Sequence, residues 1–168
     1  MKEALKLELS DEKTLITNAQ KPAKFLGFDI FIRRSNDLRK DINGKTIRSL
    51  GHVPVLYLNY ETMRKKLFDY KAARIAVENG KEIWKSIVRT YMIDLDDLEI
   101  VSQFNAEIRG FYNYYSIANN SPAINSFYHI MSYSMYKTFA RKYKSSVKKI
   151  LFQYKKDGTF KVAYENSK

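Results

Sequence analysis

Nine residues carry the side chains best suited to holding a polyanion: Arg109, Tyr112, Asn113, Lys137, Arg141, Lys142, Lys144, Lys148 and Lys149. Between Ile108 and Lys156 there is no Asp or Glu, against nine Lys or Arg and twelve Phe or Tyr. Cations neutralise phosphates and release their counterions, and aromatic faces stack on unpaired bases. A solvated lysine face is the competing interpretation, but solvated faces mix signs and this one does not. Arg109 and Asn113 stand four apart, on one face of a helix. They suit a joint contact to phosphate or base, or equally a satisfied polar junction. Tyr112, Tyr114, Tyr128, Tyr133 and Tyr136 are stacking candidates, whereas Tyr115 belongs to an apolar stripe and reads as core.

Other chemistries find little support. The chain has no cysteine, which excludes disulfides, cysteine zinc sites and thiol catalysis. His52 and His129 are its only imidazoles and have no expected catalytic role. Asp96-Asp97 is a carboxylate pair, but it sits where a helix begins, and its charge suits the positive end of that helix. No catalytic residue, metal site or cofactor is expected. The 168 residues carry a net charge of +12, concentrated in residues 108–156; residues 1–107 hold 19 basic and 16 acidic residues. A charge patch of this kind favours a nucleic-acid partner. There is no apolar run long enough to span a membrane and no apolar leader at the N-terminus, so a cytoplasmic protein with no membrane partner is the expectation.

The elements that must position these residues form an α+β chain: a small antiparallel β region carrying a hairpin, then a mainly helical region. Alternation predicts strands at Leu5–Leu9 and Thr14–Thr17, and a longer one at Ala23–Arg33 with a bulge or close approach at Gly27. Asn43-Gly44 predicts a type I′ turn in a basic hairpin over 37–50. Gly51–Pro54 reads as a linker. Asn59 caps a helix whose apolar residues, Met63, Leu67, Tyr70 and Val77, run to a stop at Asn79-Gly80. A second short helix is expected over Lys81–Met92.

The next helix starts at Asp94–Asp97 and carries Ile100 or Val101, Phe104, Ile108, Phe111, Tyr115 and Ala118 on one stripe, with Gly110 admitting a neighbour. Ser121-Pro122 starts another helix. Along the basic segment, at 100° per residue, Lys137, Arg141, Lys144 and Lys148 share a line opposite Phe139, Tyr143, Val147 and Ile150. Whether Lys137 begins a helix or continues one is open. After Gly158 a short strand or disorder is expected.

Three pieces of this sequence resemble the C-terminal half of group II intron-encoded reverse transcriptase/maturases. Leu7-Glu8-Leu9-Ser10-Asp11-Glu12-Lys13-Thr14, with Phe25-Leu26-Gly27-Phe28, looks like the last reverse-transcriptase blocks. Phe104-Asn105-Ala106-Glu107-Ile108-Arg109-Gly110, with Asn113-Tyr114-Tyr115 and Ala118-Asn119-Asn120, resembles the thumb-to-maturase segment. Lys137-Thr138-Phe139-Ala140-Arg141-Lys142-Tyr143 resembles the basic block of maturase domain X. The resemblance implies a palm remnant over 1–56, thumb helices over 57–120, domain X helices over 121–156 and a tail over 157–168.

It also implies group II intron RNA as partner, with a DNA target or RNA/DNA duplex as a further one. Magnesium would enter only through the RNA or a separate palm. The family's polymerase site uses a Tyr-Ala-Asp-Asp-like turn, and these residues contain none. The expected function is therefore RNA binding that assists splicing, with no polymerase chemistry in this chain alone. The alternative is the non-catalytic portion of a split or truncated RNA-directed DNA polymerase.

Overall fold

The computed structural model describes residues 18–33, 38–48 and 52–163, and the strands expected at Leu5–Leu9 and Thr14–Thr17 lie outside them. The chain divides into two compact units between Tyr57 and Leu58. An antiparallel β region precedes a mainly helical one, as the α+β expectation requires.

In the first unit, the strand expected over Ala23–Arg33 is two strands. β1 (Ala23–Phe25) and β2 (Phe28–Arg33) pair antiparallel with Phe25 opposite Phe28. Leu26 (φ 49°) and Gly27 (φ 83°) are both left-handed, so the glycine makes a two-residue turn rather than a bulge. β5 (Val53–Leu58) adds to β2, giving the order β1-β2-β5. Val53 and Pro54, the second half of the segment read as a linker, are thus the start of a strand. Phe31 meets Tyr57 edge-on at 5.1 Å.

β3 (Leu38–Lys40) and β4 (Thr46–Arg48) form the expected basic hairpin. Its turn is not type I′. Gly44 (φ 78°) has a positive φ and Asn43 does not. The Asp41 carboxylate instead accepts the Asn43 and Lys45 N–H groups at 2.9 and 2.8 Å, closing a longer loop.

In the second unit, α1 (Tyr60–Asp69) begins as expected, the Asn59 side chain accepting the Glu61 N–H at 2.7 Å. Such a cap contributes about 1 kcal/mol. The helix stops at Asp69, ten residues before Asn79-Gly80. Lys71 turns left-handed (φ 51°), with Lys71 N–H donating to Phe68 O and Ala72 N–H to Leu67 O. These two bonds are a Schellman motif with lysine in the glycine position.

The chain then enters β6 (Ala73–Glu78), which pairs with β7 (Lys81–Ser86) through a turn in which Asn79 (φ 53°) and Gly80 (φ 72°) are both left-handed. The second helix expected over Lys81–Met92 is therefore a strand followed by a 3₁₀ turn at Thr90–Met92.

α2 (Asp97–Tyr115) and α3 (Ile124–Lys142) are the long helices and pack on each other. Ile100, Phe104, Phe111, Tyr115 and Ala118 are buried, as the stripe predicts. Phe111 stacks on Phe127 with centroids 3.8 Å apart. Gly110 faces open space, so no neighbouring helix uses it. Ser121–Ala123 is a 3₁₀ turn with Pro122 near its start, and α3 follows directly. The Asn120 amide accepts from Leu58 N–H at 2.7 Å and donates to Leu58 O at 3.2 Å. One side chain thereby satisfies both backbone groups of the residue where the unit begins.

α3 runs through Lys137 without interruption and ends at Lys142. The single helix expected to carry Lys137 to Lys148 is broken there. Lys144 is left-handed (φ 46°), Lys144 N–H donates to Arg141 O and Ser145 N–H to Ala140 O, a second Schellman motif. Ser146 then caps α4 (Val147–Tyr154). β8 (Lys155–Lys156) and β9 (Thr159–Phe160) close the described chain as a small hairpin turning at Asp157-Gly158.

Candidate nucleic-acid interface

The basic segment is positioned by two sets of polar bonds, one along α3 and one at its end. Ser134 Oγ donates to Ile87 O at 2.6 Å, Lys137 Nζ to Ser86 O at 2.7 Å, and Arg89 N–H to Thr138 Oγ1 at 3.1 Å. Residues 134, 137 and 138 share one helical face, so that face supplies partners for backbone groups at the end of β7 and just beyond it.

At the far end, the Asp97 carboxylate joins three elements. It pairs with Lys142 at 2.7 Å and accepts from Tyr143 Oη at 2.6 Å and from Tyr154 Oη at 3.3 Å. Lys142 also donates to Leu95 O at 2.5 Å. Burial and the hydrogen bond to Asp97 push the Tyr143 phenol up from its ordinary value. Asp97 therefore ties the start of α2 to the end of α3 and to α4, while Asp96 precedes the helix as its extended N-cap residue. Among the described residues no cluster of three or more His, Cys, Asp or Glu is arranged to hold a metal ion.

These bonds sort the sequence-predicted cations. Lys137 and Lys142 are half-buried and committed to protein oxygens. Arg141, Lys144, Lys148 and Lys149 are exposed, and no carboxylate among the described residues pairs with them. Lys137, Arg141, Lys142 and Lys144 nevertheless line one open cavity of about 760 Å³, floored by Val88, Ile93 and Ala140. Lys137, Arg141 and Lys142 lie on α3, and Lys144, at the left-handed break just past its end, lines the cavity with them. Phe152, 92% exposed on α4, lies one turn after Lys148 and one before Lys155 and Lys156. Sequence reading missed it, because a lone phenylalanine in an amphipathic pattern reads as core.

Arg109 and Tyr112 lie elsewhere, on an outer face of α2. With Asn105 and Ile108 they border a second cavity of about 450 Å³, closed on the other side by Ile124, Asn125 and Tyr128 of α3. Asn113 is exposed beside it and does not line it; its backbone oxygen accepts from Ser116 Oγ. Tyr115 and Tyr136 are buried, whereas Tyr112, Tyr114, Tyr128 and Tyr133 are substantially exposed.

A buried charge in the helical unit was not singled out from sequence. Arg89 is 1% exposed. Its guanidinium pairs with Glu107 at 2.6 Å and lies 4.1 Å from the Phe104 ring centroid. Met92 and Met131 sulfurs approach it at 3.9 and 3.6 Å. Glu107 is thereby paired from inside the unit. The sequence signal was a basic residue after apolar Ile87-Val88 and three positions before Met92, too weak to identify a buried ion pair.

The model of a family described as "Type II intron maturase" matches residues 55–166. The group II intron-encoded protein LtrA of Lactococcus lactis subsp. cremoris is 39% identical over 162 residues, covering 96% of this chain and 26% of that protein. The putative COX1/OXI3 intron 1 protein of Saccharomyces cerevisiae is 33% identical over 153 residues, 84% of this chain and 17% of that protein. The chain thus spans about a quarter or less of the curated relatives it matches.

Proposed function

The chain belongs to the type II intron maturase family, and from that membership we propose that it binds the structured RNA of a group II intron and stabilises the RNA's splicing-active fold. The observation that carries this is the set of exposed cations without a carboxylate partner among the described residues, Arg141 and Lys144 on the cavity and Lys148 and Lys149 on α4, in a stretch that has no acid from Ile108 to Lys156. Folding an RNA brings phosphates together against their repulsion. A fixed cationic surface lowers that repulsion and gains the entropy of the released counterions. Transesterification then belongs to the RNA, and the protein contributes position and charge rather than a general acid or base. In this reading residues 57–120 act as thumb helices and 121–156 as domain X.

The direct test is binding to a folded group II intron transcript by the Arg141→Glu/Lys144→Glu/Lys148→Glu/Lys149→Glu variant. Lys137 and Lys142 are left intact because they hold the fold. Binding is expected to be abolished while the thermal midpoint stays close to that of the parent. Unchanged affinity at moderate salt would refute the proposal.

A further inference from the structure

The groove between α2 and α3 differs in chemistry from the lysine-lined cavity. Resting on the RNA-binding reading above, we propose that it seats one unpaired nucleotide, with the base against Tyr112 and Tyr128 and the phosphate on Arg109.

Asn105, Arg109 and Tyr112 follow at four- and three-residue steps and so share a face of α2; Asn125 and Tyr128 do the same on α3. The cavity between them, about 450 Å³, lies within the roughly 300–1,000 Å³ of small-ligand sites. Its α3 side includes Ile124, 4% exposed, so that part of the groove is apolar and packed. Tyr112 and Tyr128 are 55% and 54% exposed, which leaves aromatic surface available on both walls.

Besides the two tyrosine hydroxyls, the polar groups are amides and a guanidinium, with no lysine among the lining residues. An amide both donates and accepts, which the edge of a nucleobase requires and a phosphate does not. A guanidinium holds phosphate oxygens in a planar fork. Arg109 has no carboxylate partner among the described residues, since neighbouring Glu107 is paired with buried Arg89. In A-form RNA the base faces are stacked and most of their edges are paired. Only a nucleotide splayed from a loop, bulge or end presents its face, edge and phosphate together.

The test uses the 168-residue chain with two RNA hairpins of equal length, one fully paired and one carrying a single bulged 2-aminopurine. The parent chain is expected to bind the bulged hairpin roughly tenfold more tightly, the size of one base–aromatic stack, and to quench the 2-aminopurine. Tyr112→Ala/Tyr128→Ala should lose the preference and the quenching yet keep the affinity for the paired hairpin. Arg109→Gln should lower the salt slope on the bulged hairpin by about one. If the double variant fails to fold, Tyr128→Leu, which keeps an apolar wall, gives the same comparison. Equal binding of both hairpins by the parent chain, or a preference that survives in the variants, would overturn the proposal. Failure of the parent chain to bind either hairpin would refute the underlying RNA-binding reading instead.

Discussion

Removing Glu107 should cost more stability than removing the Arg89 it pairs with. The ion pair spans 2.6 Å, and its two side chains are unequally buried: 0% exposed for Arg89 and 14% for Glu107. Glu107→Gln leaves a guanidinium charge that has no route to water. Its Nε already lacks an acceptor among the described residues. Stranding a buried charge in this way costs about 3–5 kcal/mol.

Arg89→Met leaves a carboxylate that retains some water, and the new side chain fills apolar space beside Phe104, Met92 and Met131. The loss there should be about 2 kcal/mol, set by the broken pair and the lost guanidinium–ring contact. The double variant Arg89→Met/Glu107→Gln should recover most of the loss, because no charge remains buried. Urea denaturation followed by circular dichroism gives all four free energies and the coupling between the sites. A Glu107→Gln cost below about 1 kcal/mol, or a larger cost for Arg89→Met, would refute the view that Arg89 is a desolvated charge held by one partner.

Asn120→Ala should destabilise the helical unit by about 1–3 kcal/mol, because Leu58 loses both partners at once; a urea midpoint unchanged from the parent would contradict this. Lys144→Gly should raise stability by about 1 kcal/mol, since glycine takes the left-handed position without strain, while intron RNA binding weakens; stability and affinity changing in the same direction would exclude the two separate roles. Burial and the hydrogen bond to Asp97 make the Tyr143 phenol hold its proton more tightly in the folded chain than a free tyrosine does. Its contribution to stability is therefore present below about pH 10 and is lost as pH rises above it. Tyr143→Phe should flatten the alkaline limb of a pH–stability curve, and an unaltered limb would show that the phenol is not the group responsible.

Much of the helical region is legible in the sequence because α2 has a clean apolar stripe, an acidic start and a Pro after its end. The hairpin β6–β7 is not, for a specific reason. Asn-Gly is both a helix stop and a two-residue hairpin turn, and Met63, Leu67, Tyr70 and Val77 happen to continue the helical spacing across a strand. The true end of α1 is hidden because lysine, not glycine, occupies the left-handed position at Lys71. The same substitution at Lys144 conceals the break between α3 and α4.

In the candidate site, residue type revealed the cations but not their commitments. Lys137 and Lys142 look equivalent to Arg141 and Lys144 until the carbonyls of Ser86 and Leu95 are placed beside them. Such long-range pairings depend on tertiary structure, which local periodicity does not encode. The groove bordered by Asn105 and Tyr128 likewise needs two helices brought together before it exists.

The most direct measurement of the central claim is the salt dependence of intron RNA binding. Each phosphate neutralised contributes roughly 0.7–0.9 to the slope of log K against log salt, so four contacts contribute about 3 and weaken binding on the order of a hundredfold between about 50 and 200 mM. Replacing Arg141, Lys144, Lys148 and Lys149 with glutamine should reduce the slope by about that amount. A parent and quadruple variant with parallel slopes would contradict phosphate contact by this surface.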